Sequence, residues 1–178
     1  MLITISGLPG SGTTTVSRLV ADALGLERVP GGEVFRQLAA EADMSLAEFG
    51  AYAAAHPEID IELDRRLTER ARLGGCIIES RLAGWLVTRA SLRAVRVWVD
   101  CDEAVRGKRV AIRDGSTAEQ AVVDNKARET LEHDRYRSVY GIDLGDRSAY
   151  DLVLDSSAEA PPELAEAILT SARATFPD

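Results

Sequence analysis

The fold is decided near the start of the chain by Gly7-Leu8-Pro9-Gly10-Ser11-Gly12-Thr13-Thr14. Residues 2–6 before this run are apolar and β-branched, which indicates a buried strand, and residues 13–24 carry apolar side chains at helical spacing. Glycines at these spacings let consecutive backbone N–H groups turn inward, and the positive end of the following helix adds to their field. The run therefore predicts a strand, a phosphate-binding loop and a helix. A glycine turn without a ligand is the alternative.

The loop has the spacing of a P-loop, G-x-x-x-x-G-K-[ST], except that Thr13 occupies the lysine position. That lysine normally reaches the β- and γ-phosphates and neutralises charge during phosphoryl transfer. We therefore expect an arginine to replace it. Arg18, one helical turn beyond Thr14, is one geometric candidate, and a solvated helix face is an equal alternative for this residue. The hydroxyl of Thr14 is predicted to bind Mg²⁺.

The rest of the chain alternates short apolar segments with helical patterns. Further strands are predicted over residues 26–30, 76–78, 95–99 and 151–155, and further helices over 33–42, 45–72 with a break at Pro57, 102–113, 117–140 and 161–175. Such alternation is typical of a parallel sheet covered by helices, with its ligand site beyond the carboxyl ends of the strands. We predict one α/β domain over residues 1–178, with three α/β/α layers and a five-stranded parallel sheet.

The composition excludes several classes of function. Of 178 residues, 46% are hydrophobic, 28% charged and 5% aromatic, as in an ordinary single domain. The net charge of -8 argues against binding to nucleic acid or to a membrane surface. No apolar run approaches the roughly 18 residues that span a bilayer, no signal-peptide pattern is present, and two cysteines, Cys76 and Cys101, form no disulfide framework. We expect a cytoplasmic monomer.

The positive charge is almost entirely arginine, since Lys108 and Lys126 are the only lysines. Arg106, Arg109 and Arg113 recur at spacings of three and four, so they share one face of a predicted helix. Like charges on one face repel, and an anion among them relieves the repulsion. Arg109 and Arg113 are therefore predicted to face the triphosphate of ATP. For Arg106, a functional role and a solvated surface role stay equally open.

Five motifs, in their order along the chain, resemble the nucleoside monophosphate kinases, and most closely the short cytidylate kinases of the archaeal type. They are Ile5-Ser6-Gly7-Leu8-Pro9-Gly10-Ser11-Gly12, Gly31-Gly32-Glu33-Val34-Phe35-Arg36, Glu79-Ser80-Arg81-Leu82-Ala83-Gly84-Trp85, Arg135-Tyr136 with Tyr140-Gly141-Ile142-Asp143, and Tyr150-Asp151-Leu152-Val153-Leu154-Asp155-Ser156-Ser157. The resemblance covers nearly the whole chain. It implies a P-loop kinase that transfers the γ-phosphoryl group of ATP to CMP or dCMP with Mg²⁺. It also implies an acceptor-binding insertion over residues 31–73 and a lid over about 106–135.

The resemblance and the arginine spacing together give four sets of site residues. The predicted ATP-binding residues are Gly7, Pro9, Gly10, Ser11, Gly12, Thr13, Thr14 and Thr15. The predicted acceptor-binding residues are Gly32, Arg36, Arg81 and Gly84. Thr14 and, through a water, Glu79 are the predicted metal ligands. The predicted catalytic residues are Arg109, Arg113, Arg128 and Arg135, the last two flanking Glu132 on one helical stripe.

Other interpretations stay open at this point. A P-loop kinase for another small acceptor, such as AMP, dephospho-CoA or shikimate, has the same fold and the same ATP site. A nucleotide-binding regulator is a second alternative, because Thr13 replaces the lysine. An exposed Arg36 and an Arg81–Glu79 pair that braces a loop are structural alternatives for two of the acceptor residues. Arg137 and Arg147 are expected on the surface. Contacts to the acceptor base are expected from the insertion over residues 45–72.

Overall fold

Parallel strands form the centre of the structure, a computed structural model that describes residues 1–177. Within this part of the chain the sheet has five strands in the order β2-β3-β1-β4-β5. They are β1 (Leu2–Gly7), β2 (Glu27–Pro30), β3 (Cys76–Glu79), β4 (Val95–Asp100) and β5 (Leu152–Asp155). The helices are α1 (Thr13–Leu24), α2 (Gly31–Glu41), α3 (Leu46–Ala55), α4 (Pro57–Arg72), α5 (Ala83–Arg89), α6 (Glu103–Asp114), α7 (Ala118–Tyr140) and α8 (Pro161–Thr175). The predicted α/β fold with a five-stranded parallel sheet is confirmed.

Strand β1 is the buried centre of the sheet and pairs with β3 on one side and β4 on the other. Ile3 and Ile5 face a core formed with α1 and α8, whereas Leu2 faces the opposite core with α4 and α5. Burial on both faces explains why this strand reads as an unbroken apolar run. It also fixes the position of the loop that follows, because Gly7 leaves the sheet at its carboxyl edge.

Helix α5 is the element that the sequence did not predict. It has only seven residues, and no side chain caps its N-terminus. Its buried Val87 packs with Ile78 of β3 in the core beneath α4, so tertiary packing rather than local sequence stabilises it. The predicted break at Pro57 is present: α3 ends at Ala55, and α4 begins with this proline.

Two helical excursions leave the sheet at its carboxyl edge. The first, α2 to α4, connects β2 to β3. The second, α6 and α7, follows β4, and its two helices pack along each other with Gly107 against Val122. Among residues 1–177, no helix combines the length and the hydropathy that a bilayer crossing requires.

Candidate active site

A cavity of about 770 Å³ opens beyond the carboxyl ends of β1, β2 and β3. This is the edge of a parallel sheet at which ligands bind. The cavity brings together most of the predicted site residues, although they come from segments far apart in sequence. Its lining includes Gly7, Pro9, Gly10, Gly12, Thr13, Thr14, Thr15, Gly32, Arg36, Glu79, Arg81, Arg109, Arg113, Arg128 and Arg135.

Two predicted residues lie outside this lining. Ser11 is 1% exposed, and its N–H donates to the Leu8 carbonyl at 3.1 Å, so the loop itself uses this donor. Gly84 packs against the Tyr150 ring, which a Cβ would overlap. Packing against Tyr150 therefore explains why position 84 is a glycine. Gly84 does not line the cavity.

The glycine loop has the backbone that the sequence predicted. Gly10 and Gly12 adopt φ of 82° and 90°, a region that glycine enters without strain. A side chain at Gly10 would collide with the Arg106 carbonyl. Helix α1 begins directly after Gly12 without a side-chain cap. The Thr15 N–H donates to the Gly12 carbonyl at 3.0 Å, whereas those of Thr13 and Thr14, which line the cavity, are the free first-turn donors of the kind that an anion site uses.

Glu79 gathers the hydroxyl groups of the loop and helix α1. Its Oε1 accepts hydrogen bonds from Thr14 at 2.6 Å and from Thr13 at 3.1 Å, and its Oε2 accepts from Ser17 at 2.9 Å. Arg28 of β2 donates to the same Oε2 at 2.8 Å. Burial opposes ionisation of Glu79, but the donors from Thr14, Arg28 and Ser17 hold its pKa below the usual value. Arg28 is a charge that the sequence reasoning missed.

The residues at this point fit a magnesium ion. Thr14 Oγ1 and Glu79 Oε1 are oxygens of the kind that Mg²⁺ prefers, and they lie 2.6 Å apart. No group of three or more His, Cys, Asp and Glu side chains within residues 1–177 is arranged to hold a metal. A site with few protein ligands is the pattern in which substrate phosphates and water complete the magnesium shell.

Arg109 is one of the predicted arginines that reach the glycine loop. Its guanidinium donates to the Ser156 hydroxyl at 2.9 Å and to the Gly10 carbonyl at 3.4 Å. A side chain at Gly12 would lie 3.7 Å from the same nitrogen, Arg109 Nη1. Arg18, by contrast, is exposed and outside the cavity lining, because its position on α1 turns it to solvent. The suggestion that Arg18 replaces the P-loop lysine is therefore wrong.

Arg106 proves to be an anchor rather than a cavity residue. It is 5% exposed, forms an ion pair with Glu129 of α7 and donates to the Cys101 carbonyl at 3.1 Å. A further hydrogen bond of 3.3 Å reaches the Pro9 carbonyl in the glycine loop. Because Arg106 is buried, the solvated surface role left open for it is excluded.

Glu132 joins Arg81 and Arg128 at the centre of the cavity. The Glu132 carboxylate accepts from Nε of Arg81 and from Nε of Arg128, both at 2.7 Å. Burial alone would raise the pKa of Glu132, but the two guanidiniums outweigh it and lower this pKa to about 2. Arg81 also donates to the Gly7 carbonyl at 2.7 Å. The Arg81–Glu79 pair considered from sequence is therefore absent, because Arg81 turns to α7 instead.

Arg135 lies where α7 meets the insertion. Its Nε is 2.7 Å from Asp60 Oδ2, and its Nη1 donates to the Gly50 carbonyl at 3.1 Å. The guanidinium also packs over the rings of Phe35 and Tyr136, with centroids 5.3 and 5.1 Å away. These contacts connect α7 to all three helices of the insertion.

The remaining arginines differ in how their charge is compensated. Arg113 pairs with the adjacent Asp114 at 2.6 Å, and both are about half exposed. Arg36 is exposed at the cavity mouth, and within residues 1–177 it has no ion pair. Arg147 was expected on the surface, but it stacks over Trp98 at 3.8 Å and pairs with Asp100 at 3.2 Å. Arg137 is exposed as expected.

A glycine loop at the head of a helix, a Thr–Glu oxygen pair and a lining of arginines, all beyond a parallel sheet, define a P-loop kinase. A gluconokinase from Sinorhizobium meliloti has a similar solved structure, with a TM-score of 0.62, 16% identity and coverage of 97% of this chain and 92% of that chain. At this identity the similarity concerns the fold.

Residues 2–158 match the model of the cytidylate kinase-like family, and the chain belongs to this family. The cytidylate kinase of Pyrococcus horikoshii is 48% identical over 161 residues, covering 90% of this chain and 82% of the relative. The cytidylate kinase of Thermococcus sibiricus is 42% identical over 178 residues, covering 100% of this chain and 91% of the relative. The resemblance read from the motifs is confirmed, and the protein is a phosphotransferase with ATP as a substrate.

Proposed function

We propose that this protein transfers the γ-phosphoryl group of ATP to CMP or dCMP, forming ADP and the nucleoside diphosphate. The observation that carries the proposal is the meeting of two arginine groups in one cavity: Arg109 of α6, which contacts the Gly10 carbonyl, and Arg36 of α2 with Arg81 after β3. A kinase with a phosphorylated acceptor needs two such anion sites. The family of the chain supports CMP over AMP, dephospho-CoA or shikimate as the acceptor.

The donor side is built by the glycine loop. In this proposal, Gly7, Pro9, Gly10, Gly12 and the threonines at 13–15 hold the phosphates of ATP through backbone N–H groups and the positive end of α1. Ser11 supports the loop from within. Arg109 supplies the positive charge that a lysine provides in the usual motif, and Arg113 adds a second charge after release from Asp114.

The acceptor side is built by residues of α2 and the end of β3. Arg36 and Arg81 bind the acceptor phosphate. Gly32 lies beside the Arg36 guanidinium, and a Cβ at this glycine would be 3.8 Å from Arg36 Nη1. Arg128, held by Glu132, points its charge at the phosphoryl group in transit. The acceptor is already an anion, so no general base is required.

Magnesium bound by Thr14, with Glu79 reached through water, neutralises phosphate charge when it is present. The protein supplies positioning and positive charge, and these carry most of the acceleration in phosphoryl transfer. The insertion over residues 31–73 and the lid over about 106–135 close over the two substrates and expel water. One chain contains the complete site, so the proposed active form is a monomer.

The proposal is tested by coupled ADP release across a panel of nucleoside monophosphates and shikimate. We expect kcat/KM for CMP and dCMP to exceed that for AMP by about tenfold or more. Faster turnover of AMP or shikimate would exclude the proposed acceptor, and ATP binding without ADP release would favour a regulator. Arg36→Ala should raise KM for CMP about tenfold and leave KM for ATP unchanged. Arg137→Ala, which removes an exposed arginine of α7, is the matched control.

A further inference from the structure

Two buried carboxyl groups of α4 line the cavity where this helix faces α7, and neither takes part in the proposed phosphoryl transfer. Asp60 and Asp64 are four residues apart, so one turn of α4 places both on the same face. They are 2% and 8% exposed, and both line the cavity. Aspartate is almost never this buried unless it is paired. Burial of both carboxyl groups therefore requires partners that compensate their charge or polarity.

Only one of the two carboxyl groups has a cation beside it. Asp60 lies 2.7 Å from Arg135 Nε. For Asp64, within residues 1–177, no Lys, Arg or His lies at ion-pair distance. The Tyr140 hydroxyl is buried next to it, but the two groups are not aligned in a full hydrogen bond. Asp64 is thus a buried acceptor that faces a ligand cavity and lacks a well-placed donor.

The electrostatic surroundings of Asp64 agree with this geometry. Burial raises the pKa of Asp64 to about 7, the Tyr140 hydroxyl and Arg135 oppose the rise, and the Asp60 charge adds to it. A carboxyl group with well-placed donors would be held ionised at a low pKa, as Glu132 is. A ligand that brings an N–H donor to Asp64 therefore completes a site that the protein leaves incomplete.

The acceptor nucleotide is the ligand whose chemistry matches. Its phosphate lies at Arg36 and Arg81 in the proposed function, and Asp64 lines the same cavity. The pairing edge of cytosine carries an amino donor at position 4, whereas uracil carries an oxygen acceptor there. The ionised carboxylate accepts from the first and is repelled by the second.

We propose that Asp64 reads the base of the acceptor by accepting a hydrogen bond from the 4-amino group of cytosine. Arg135 and Asp60 hold α7 against α4, so that Asp64 keeps its position at the end of the cavity. The inference rests on the proposed function, since it assigns the base contact within the same acceptor site. It makes Asp64 a specificity residue and leaves the phosphoryl chemistry to the arginines.

The test compares two acceptors that differ only in this amino group: CMP and the monophosphate of 2-pyrimidinone riboside, which carries hydrogen at position 4. We expect wild-type kcat/KM to fall about tenfold or more when the amino group is absent, because a site built to bind an N–H rejects the analogue that lacks it. In Asp64→Ala this penalty should shrink to about threefold or less, since the variant has no acceptor to leave unpaired.

Three further variants sharpen the comparison. Asp64→Leu removes the acceptor but keeps a side chain of similar length, so it gives the same readout if the smaller residue disturbs folding. Asp64→Asn keeps one carbonyl oxygen and should retain a penalty of about fivefold or more. Glu69→Ala removes an exposed carboxyl group of the same helix and should retain the full wild-type penalty.

The outcomes separate the two proposals. If the wild-type protein does not phosphorylate CMP, the proposed function fails. If it does, but the penalty for the missing amino group is the same in wild type, Asp64→Ala and Asp64→Leu, the proposed function stands and the role of Asp64 is excluded. The absence of any penalty in the wild type also excludes that role.

Discussion

Thr13 occupies the lysine position of the phosphate loop, and its side chain has a different role there. Its hydroxyl lies 3.1 Å from Glu79 Oε1, so the position that carries lysine in the usual motif here supports a carboxylate instead. Positive charge reaches the same region from two other directions: Arg28 pairs with Glu79 at 2.8 Å, and Arg109 contacts the Gly10 carbonyl. Because the charge of Arg28 is balanced by Glu79, Arg109 is the residue that we expect to take the place of the missing lysine.

Thr13→Lys tests whether arginines already supply the charge that this lysine provides in the usual motif. A lysine there would face Glu79 and compete with Arg28 for it, while Arg109 already provides charge at the loop. We therefore expect kcat to change by less than about tenfold in steady-state ADP release. A rise of several hundredfold would contradict the idea that arginines do the work of the lysine. Thr170→Lys, an exposed position on α8, controls for the added charge.

Glu132 makes a testable contribution to stability. Its pKa of about 2, held low by Arg81 and Arg128 against burial, means that ionised Glu132 favours the folded state above its unfolded value of 4.5. We expect Glu132→Gln to lower the free energy of unfolding by about 3 kcal/mol at pH 7. The difference should shrink as the pH falls from 4.5 towards 2, because the wild-type carboxylate is then protonated as well. Urea denaturation at pH 7 and pH 3 measures both values.

Glu62 is the matched control for this prediction. Its pKa is also lowered to about 2, by Arg65 and Arg66, but its side chain is about half exposed on α4. Solvent screens such surface pairs, so Glu62→Gln should leave the unfolding curve unchanged. An equal loss of stability in both variants would show that burial does not set the strength of the Glu132 pairs.

At the scale of elements, the sequence predicted best where the pattern is local. Strand β1, the glycine loop and α1 follow from an apolar, β-branched run, glycine spacing and helical periodicity, all within residues 2–24. Helix α5 was missed because its two turns are stabilised by packing on β3 rather than by caps. The residues that gather at the cavity were predicted as separate sites, since a motif does not reveal which acid will face which arginine.

The packing of α6 on α7 gives a prediction at this scale. Gly107 is buried, and a Cβ there would overlap the β-branched side chain of Val122, which has little freedom to move away. We expect Gly107→Ala to lower the stability by about 1 to 3 kcal/mol, as overpacking does. In Gly50→Ala the new Cβ meets nothing within 4 Å, and this helical position should gain about 0.5 to 1 kcal/mol. Thermal denaturation of both variants makes the comparison, and destabilisation by both would contradict it.

At the scale of the whole molecule, a chain with a net charge of -8 has a cavity lined by arginines, and the structure shows how the two are compatible. The sequence predicted that arginines would gather at phosphate-facing positions, and the cavity contains six of them. It placed Glu132 on the same helical stripe as Arg128, and these two do pair, but it did not predict the acidic partners that are distant in sequence. Arg81 meets Glu132 across 51 positions and Arg135 meets Asp60 across 75, and such distant pairings arise only from tertiary packing. Acids inside the site therefore restrain the arginines before a phosphate arrives.

The Arg106 anchor has a mechanical consequence. It fixes the first turn of α6 to Pro9 in the phosphate loop and to the middle of α7 at Glu129. We propose that α6 and α7 move as a lid about this point, so that Arg113 in the last turn of α6 travels furthest while the phosphate loop keeps its place. Release of ADP would then need movement of the far end of α6 alone, and the loop that held its phosphates would stay formed for the next turnover.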